Sequence, residues 1–593
     1  MKGGSIDGGL AAVRSAVVAR FSVFSLLTLF LGGVAVLDAE PSSDLRLLEA
    51  VRNGDREAVR ILLENGAEVD ATEPEGATAL HWAAHRVDPE TASLLISYGA
   101  DVDIENDYGI TPLALACENG SAELVDALLR AGANATAVRP TGETALMTCS
   151  RTGNAAAVKA LLSHGADPGA KESRREQTAL MWAAAQNHGE VIQALIDAGA
   201  HVQARTKTAA PAGQRSSGYS RRPTPESFGF TALLFAAKEG AREAIELLVT
   251  TGADVNDVAG DGTSVLQVAM FSGHWDLVPF LLERGADPNA DGPGYAPLHW
   301  ATGSWEALLS GALGAYEYQW LAARGPGKLD LVKTLLAHGA DPNAKLEKAP
   351  PTYGYGGGGM FKHAGATPFV LAGKSSDVSV MRALLEAGAD PLLTSDDGTT
   401  ALITAAGLGQ TLGYSSITYD EALAAVKVAL EVGIDVNASN QDGETALHGA
   451  SYFGADPVVE YLVGRGAQVN ARNRLGLTPM TVSQGYGGGG GILINPSTVE
   501  LLRQLGGVGD VDMATTPIES IRLPCPLPVL YFPLSNPSYG SVYVTTTPAT
   551  KYTNGACEDI QVGTSVRVRG ARETDADKSW DGSVVASEIE IIQ

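Results

Sequence analysis

The chain has 593 residues, 45% of them hydrophobic and only 6% aromatic, with 42 Lys and Arg against 68 Asp and Glu for a formal charge of −26. That length and apolar content allow a large buried core. The acidity excludes a general nucleic-acid surface, which needs clustered Lys and Arg.

Residues 1–39 stand apart from the rest of the chain. Lys2, Arg14 and Arg20 precede an apolar run over 21–37, and small residues offer cleavage sites after Ala35 or Ala39. Basic residues followed by an apolar run are the order of a secretory signal peptide. The run also approaches the roughly 17 residues at the short end of the membrane-spanning range, so an uncleaved anchor is the alternative and would be the chain's one contact with a membrane. Either reading puts the remainder outside the cytoplasm, exported to the periplasm or cell envelope.

From residue 40 to 507 one module recurs. Gly66, Gly99, Gly132 and Gly165 lie 33 residues apart, and a fixed period of that size means stacked units. The fullest copy is 109–139. Thr111-Pro112-Leu113 starts a first helix with proline in the first turn, where its missing N–H has no partner to lose. Gly120 closes that helix, and Ala122, Val125, Leu128 and Leu129 then recur at helical spacing to give a second helix an apolar stripe. Two helices of this size bury their apolar faces only by stacking on adjacent copies.

The strings TALHWA from Thr78, TPLALA from Thr111, TALMTC from Thr144, TALMWA from Thr178, APLHWA from Ala296 and TALHGA from Thr445 resemble the T-P-L-H-x-A signature of the ankyrin repeat. The resemblance implies an all-α solenoid of helix-turn-helix units, packed through Ala and Leu as the low aromatic share requires. It implies protein recognition as the class of function. Copies begin at Gly76, Gly109, Gly142, Glu176, Gly229, Gly262, Gly294, Gly365, Gly398, Gly443 and Gly476; with an N-terminal cap over 43–72 that makes about twelve. In the copy from Glu176, Asn187 stands where glycine closes the first helix, and asparagine tolerates that left-handed conformation best among the other residues.

Insertions at 206–228, 303–327, 346–364, 409–420 and 484–496 interrupt the later copies. Long insertions in an ordered array are where function often resides, and they weaken local stacking, so this half is expected to open first in hydrogen exchange. Residues 508–593 read as a small β-rich domain with strands at 541–544, 564–568 and 584–591. This tail resembles a bacterial family of small barrel-like domains, with V-G-x-x-V-x-V-x-G over 562–570 and D-G-x-x-x-A-x-x-I over 581–589. An OB-like barrel binds oligonucleotides or sugars; Glu558, Asp559, Glu573, Asp575 and Asp577 argue against nucleic acid.

Most apparent chemistry is explained by the module. His81 and His85 have the four-residue spacing of metal ligands, but His81 occupies the signature histidine position, as do His299 and His448, and no third ligand is in view. No metal and no cofactor are expected. The recurring Asp101, Asp167, Asp254, Asp287, Asp341 and Asp390 suit turns, where a carboxylate bonds nearby backbone N–H groups. Trp82, Trp182 and Trp300 share one module position and are assigned to the core. Glycine runs after Tyr355 and Tyr486 lack the Gly-Lys-Ser/Thr of a phosphate cradle. Cys117 and Cys149 fall on the small-residue face of a first helix and read as buried thiols. Cys525 and Cys557 are a possible disulfide if the chain is exported.

The positions the module leaves free are the pair before the glycine ending the first helix and the turn tips before Gly-x-Thr. They give the candidate partner-binding set Tyr108, Glu118, Asn119, Arg151, Lys238, Phe271, Gln441, Tyr452, Phe453 and Arg474. Phe271, Tyr452 and Phe453 are the aromatic anchors on which interface energy concentrates. The sequence therefore predicts a non-catalytic scaffold that binds a protein, not a nucleic acid, on the concave face of the solenoid. The alternatives are an enzyme or carbohydrate-binding pocket built from insertions between 303 and 491, and a β tail that acts as effector with the repeats as its tether.

Overall fold

Threonine opens the repeats. Thr78, Thr111, Thr144, Thr178, Thr367, Thr400, Thr445 and Thr478 hold extended backbone, and each side chain accepts the amide of the third residue of the helix it starts. Such an N-cap is worth about 1 kcal/mol. This first helix is short, as in Pro112–Glu118, and Gly120 closes it at φ +68°. Asn187 takes the same left-handed conformation at φ +60°, as its residue type predicts; Val87 does so at φ +56°, where a β-branched side chain is strained. A second helix comes next. In Ala122–Arg130 it is capped by Ser121 and buries Leu124, Val125, Leu128 and Leu129.

The protein is described by a computed structural model covering residues 43–207, 229–303, 327–349, 363–410, 417–484, 495–517, 520–521, 529–533, 541–561, 565–572 and 584–592. Among these residues twelve helix pairs succeed one another, from Ser43–Asn53 with Arg56–Glu64 to Pro479–Ser483 with Pro496–Gln504. One apolar core runs the length of the stack from Leu47 to Leu502. The 1–39 segment, half or more of each insertion, both glycine runs and Cys525 lie outside the described residues. No helix among the described residues is long and apolar enough to cross a membrane.

Neighbouring repeats are joined by two ladders of polar side chains. In the turn after the second helix, Asn289 Nδ2 donates to Gly339 O (2.9 Å) while its Oδ1 accepts from Asp341 N (2.7 Å). Asn256, Asn343, Asn437 and Asn470 repeat the arrangement. The turn aspartates behave as expected: Asp101, Asp167, Asp254, Asp287, Asp341 and Asp390 each accept a backbone amide two residues on.

The second ladder uses the signature histidine. Thr78 N donates to His81 Nδ1 (3.1 Å), so Nε2 carries the proton and donates to Ile110 O of the next repeat (2.8 Å). His299 and His448 do the same toward Ala344 O and Leu477 O, and Gln267 reproduces the bridge by accepting from Ser264 N and donating to Tyr295 O.

Cys117 and Cys149 are not free thiols. They form a disulfide between the first helices of consecutive repeats, with Cα atoms 4.5 Å apart. The expectation of buried thiols had the burial right and the chemistry wrong. Cys117 is the sixth residue after Thr111, whereas Cys149 is the fifth after Thr144. Residues in register on packed helices would stand about 8–10 Å apart, and the one-residue offset turns these two toward each other. Cys557 is also disulfide-bonded.

Among the described residues six strands form one sheet in the order β1-β5-β6-β4-β3-β2. They are β1 (Asp510–Pro517), β2 (Ser520–Ile521), β3 (Val529–Pro533), β4 (Ser541–Thr553), β5 (Ser565–Arg572) and β6 (Val584–Ile592). The pairing of β4 with β6 is parallel and the others are antiparallel. Alternating runs at β4, β5 and β6 were readable from the sequence, but β1 to β3 were not.

Candidate functional site

Two rows of side chains escape the module's packing. The first lies at the C-terminal ends of the first helices, where the last carbonyls lack helical partners. The succeeding repeat supplies them. Asn119 Nδ2 donates to His85 O (3.3 Å), Thr152 Oγ1 to Cys117 O (3.1 Å) and Asn154 Nδ2 to Gly120 O (2.7 Å). His188, His274 and Asn495 bond Arg151 O, Lys238 O and Tyr452 O in the same way. Asn119, Arg151, Lys238 and Tyr452 are thereby held in one row, with Glu118 next to Asn119 in the chain.

The second row is made by the turn tips, or fingers, ahead of each threonine. Tyr108 is 67% exposed. Gln441 Nε2 donates to Asp396 O (3.0 Å), and Arg474, itself exposed, stands 3.8 Å from Asp442. A first helix of seven residues separates the rows by about 10 Å at 1.5 Å per residue.

Tryptophan fills the angle between them. Trp82 Nε1 donates to Glu73 Oε1 of the finger (3.0 Å), and the Arg52 guanidinium of the preceding repeat lies 4.1 Å over the indole while bonding Glu73 Oε2 (2.6 Å). The arrangement recurs at Trp182, whose Nε1 donates to Gln177 Oε1 (3.1 Å) beneath Arg151 at 5.8 Å. Both indoles are half-buried and pack against the core, so assignment of this module position to the core holds in part for them and in full for Trp300, which is 3% exposed. Sequence reasoning missed Arg52, which shares with Arg151 the position two before the closing glycine.

The aromatic candidates are less free than their module positions suggested. Phe271 is half-buried, with its ring 5.2 Å from Trp300 and 6.0 Å from Tyr295. Phe453 is 4% exposed and edges onto Tyr419 at 5.3 Å, so it offers a partner no surface. Tyr452 packs half-buried against Ile403 and Leu408 on one side and the sheet's apolar cluster on the other. Lys238 is paired with Glu239 at 3.5 Å.

Electrostatics follow from burial. Desolvation lowers the His81 imidazole below its usual range and takes His299 and His448 down to about 4, so these ladder histidines are neutral. Both ring nitrogens of His81 are engaged, which leaves it no lone pair for a metal. Among the described residues no group of three or more His, Cys, Asp or Glu side chains is placed to hold a metal. Glu444 is one of several buried side chains with an unsatisfied polar atom. Its Oε1 accepts from Asn473 Nδ2 (2.7 Å), Oε2 is buried without a partner, and desolvation pushes the carboxyl up to about 7.

Comparison with known proteins agrees with this geometry. A family model for ankyrin repeats in three copies matches residues 47–139, 124–206, 217–292, 233–309 and 369–473, together more than half of the chain. An ankyrin repeat and KH domain-containing protein of Caenorhabditis briggsae is 27% identical over 320 residues, covering 51% of this chain and 10% of that protein. The Arabidopsis thaliana E3 ubiquitin-protein ligase KEG is 29% identical over 337 residues, covering 50% of this chain and 18% of the relative. NF-kappa-B inhibitor alpha of Sus scrofa is 36% identical over 106 residues, covering 18% of this chain and 32% of the relative. The match thus spans a third or less of each relative's length, and all three are eukaryotic.

Proposed function

Because the chain belongs to the ankyrin repeat family, we propose that it is a non-catalytic scaffold that holds a protein partner along the face between its fingers and its first helices. The observation that carries this reading is the recurring Arg-Trp pair. Arg52 on Trp82 and Arg151 on Trp182 present half-exposed planar groups whose lower sides are already fixed by Glu73 and Gln177. Tryptophan and arginine held rigid before binding are the residues that dominate interface energy, because little further order is lost on contact. Tyr108, Glu118 and Asn119 extend the face between the two pairs.

An oxidising location is part of the same proposal. A disulfide between Cys117 and Cys149, with a second bond at Cys557, is supported by an extracytoplasmic compartment and opposed by a reducing one. The basic-apolar order of 1–39 supports the same placement.

The test is affinity capture from the cell envelope with the full chain and with an Arg52→Glu, Arg151→Glu double variant. Both arginines are exposed, so the fold should survive. The expected result is loss of the main captured protein by the variant. Equal recovery by both chains would remove this face from consideration.

A further inference from the structure

The stack has to stop somewhere, and its last repeat faces a difficulty the others do not. One module position is covered by the succeeding repeat: the residue between Gly and Thr. Thr399 at this position is met by Asn440 of the next repeat, and Glu444 by Asn473. In the twelfth pair that position is Leu477, and Val482 stands on the first helix that Thr478 opens. Among the described residues no helix pair comes after them, yet they are 3% and 1% exposed. Neither belongs to the core that runs through the repeats. They are buried instead with Ile560, Val566, Val568, Ala586, Ile589 and Ile591, with Tyr452, Leu475 and Tyr552 half-buried at the margin.

The sheet is built for this contact. Val566 pairs across the strands with Ile591, and Val568 with Ile589, placing four aliphatic side chains on one face. The alternate residues pair Arg567 with Glu590 and Arg569 with Glu588, whose side chains bond at 3.0 Å. A period of two in β5 and β6 therefore makes one face apolar and the other charged. The connecting chain is fixed as well, since Asn470 takes Gly506 O and Val508 N, and Thr478 Oγ1 donates to Val508 O.

We infer that the C-terminal sheet is the terminal cap of the solenoid, docked in the place a thirteenth repeat would occupy and coupled in stability to the repeats beneath it. A repeat array needs an end unit that is apolar inside and polar outside, and β5 and β6 meet that need with a different fold. The cap's margin also takes up Tyr452 and Leu475, so these two positions are withdrawn from the partner face.

Hydrogen exchange on the full chain separates a cap from a tethered, independent domain. Ile589→Asp places a charge in the contact. It should raise exchange at least about tenfold in Ala446–Phe453 and Pro479–Ser483, the opening that loss of a fully buried aliphatic side chain brings. Helices before Glu283 should be unaffected. If β5 and β6 lose protection while 446–504 keeps its own, the sheet is an independent domain and the inference falls. Leu475→Ser, a half-buried change that leaves both folds intact, should raise exchange in Ser565–Arg572 and Val584–Ile592 by severalfold. Unchanged protection there would overturn the inference equally.

Discussion

The bridging histidine shows how one side chain can serve two repeats. His448 accepts the amide of its own N-cap at Nδ1 and donates its one ring N–H, at Nε2, to Leu477 O in the next unit, at 3.2 and 3.1 Å. Gln267 already performs this exchange at one junction with an amide in place of an imidazole. Replacing His448 by Gln is therefore expected to cost less than about 1 kcal/mol, whereas His448→Leu leaves a buried amide and a buried carbonyl unpaired and should cost about 2–4 kcal/mol. Urea midpoints of the two variants at pH 7 make the comparison.

The same buried groups set the pH dependence. His299 and His448 titrate at about 4 in the folded chain and at about 6.5 unfolded, so the unfolded chain takes up more protons as pH falls from 6.5 to 4 and stability is lost on acidification. Glu444 acts in the opposite sense. Its folded carboxyl holds a proton to about 7 and its unfolded one only to about 4.5, so stability is lost as pH rises between those values. Two histidines outweigh one glutamate over the shared window, and the wild-type chain should weaken below pH 6.5. Glu444→Gln removes the opposing contribution while keeping the bond from Asn473. Its urea midpoint is expected to exceed wild type at pH 8 and to match it near pH 4.5; parity at both would show that Glu444 is not buried as described.

At the scale of the element, the sequence was most readable where one residue type answers one backbone need. Threonine caps, left-handed glycines and apolar stripes at helical spacing gave the helix pairs, and Asn187 replaced glycine for a stated conformational reason. Legibility failed where two repeats meet with a register difference. The offset of Cys117 and Cys149 by one residue is plain in the numbering, but its consequence depends on how neighbouring helices lie, and no period within a single repeat contains that information. The tryptophans were legible only in part for a related reason: how far they are exposed depends on whether an arginine from the previous repeat covers them, as at Trp82, or a ring cluster does, as at Trp300. The disulfide itself makes a measurable claim. Closing a loop of 32 residues is worth about 3–4 kcal/mol by the loop-entropy estimate. Cys117→Ala with Cys149→Ala should lower stability by that order, and reductant should then have no further effect on the exchange of Pro112–Glu118 and Ala145–Thr152.

Across the whole molecule, stability is a sum of repeat and junction contributions, because each unit touches only its neighbours. Junctions, not repeats, therefore decide where the array opens. The asparagine ladder is continuous through Asn256, Asn289 and Asn343, and again through Asn437 and Asn470. Between these blocks the equivalent position is Leu392, which is 60% exposed and offers neither bond. The array thus has a weak junction between Val378–Glu386 and Tyr419–Glu431, in the half that the insertions also interrupt. Leu392→Asn would supply a carbonyl oxygen for the amide of Asp435 and an N–H for the carbonyl of Gly433, as Asn437 does for Gln468 and Gly466. Two such bonds add about 1–3 kcal/mol net. The variant should slow exchange of the Asp435 amide about tenfold or more and merge the unfolding of the C-terminal repeats with those before them. If the amide exchanges as in wild type, the ladder is not what couples the repeats, and the first opening must be sought at the insertions themselves.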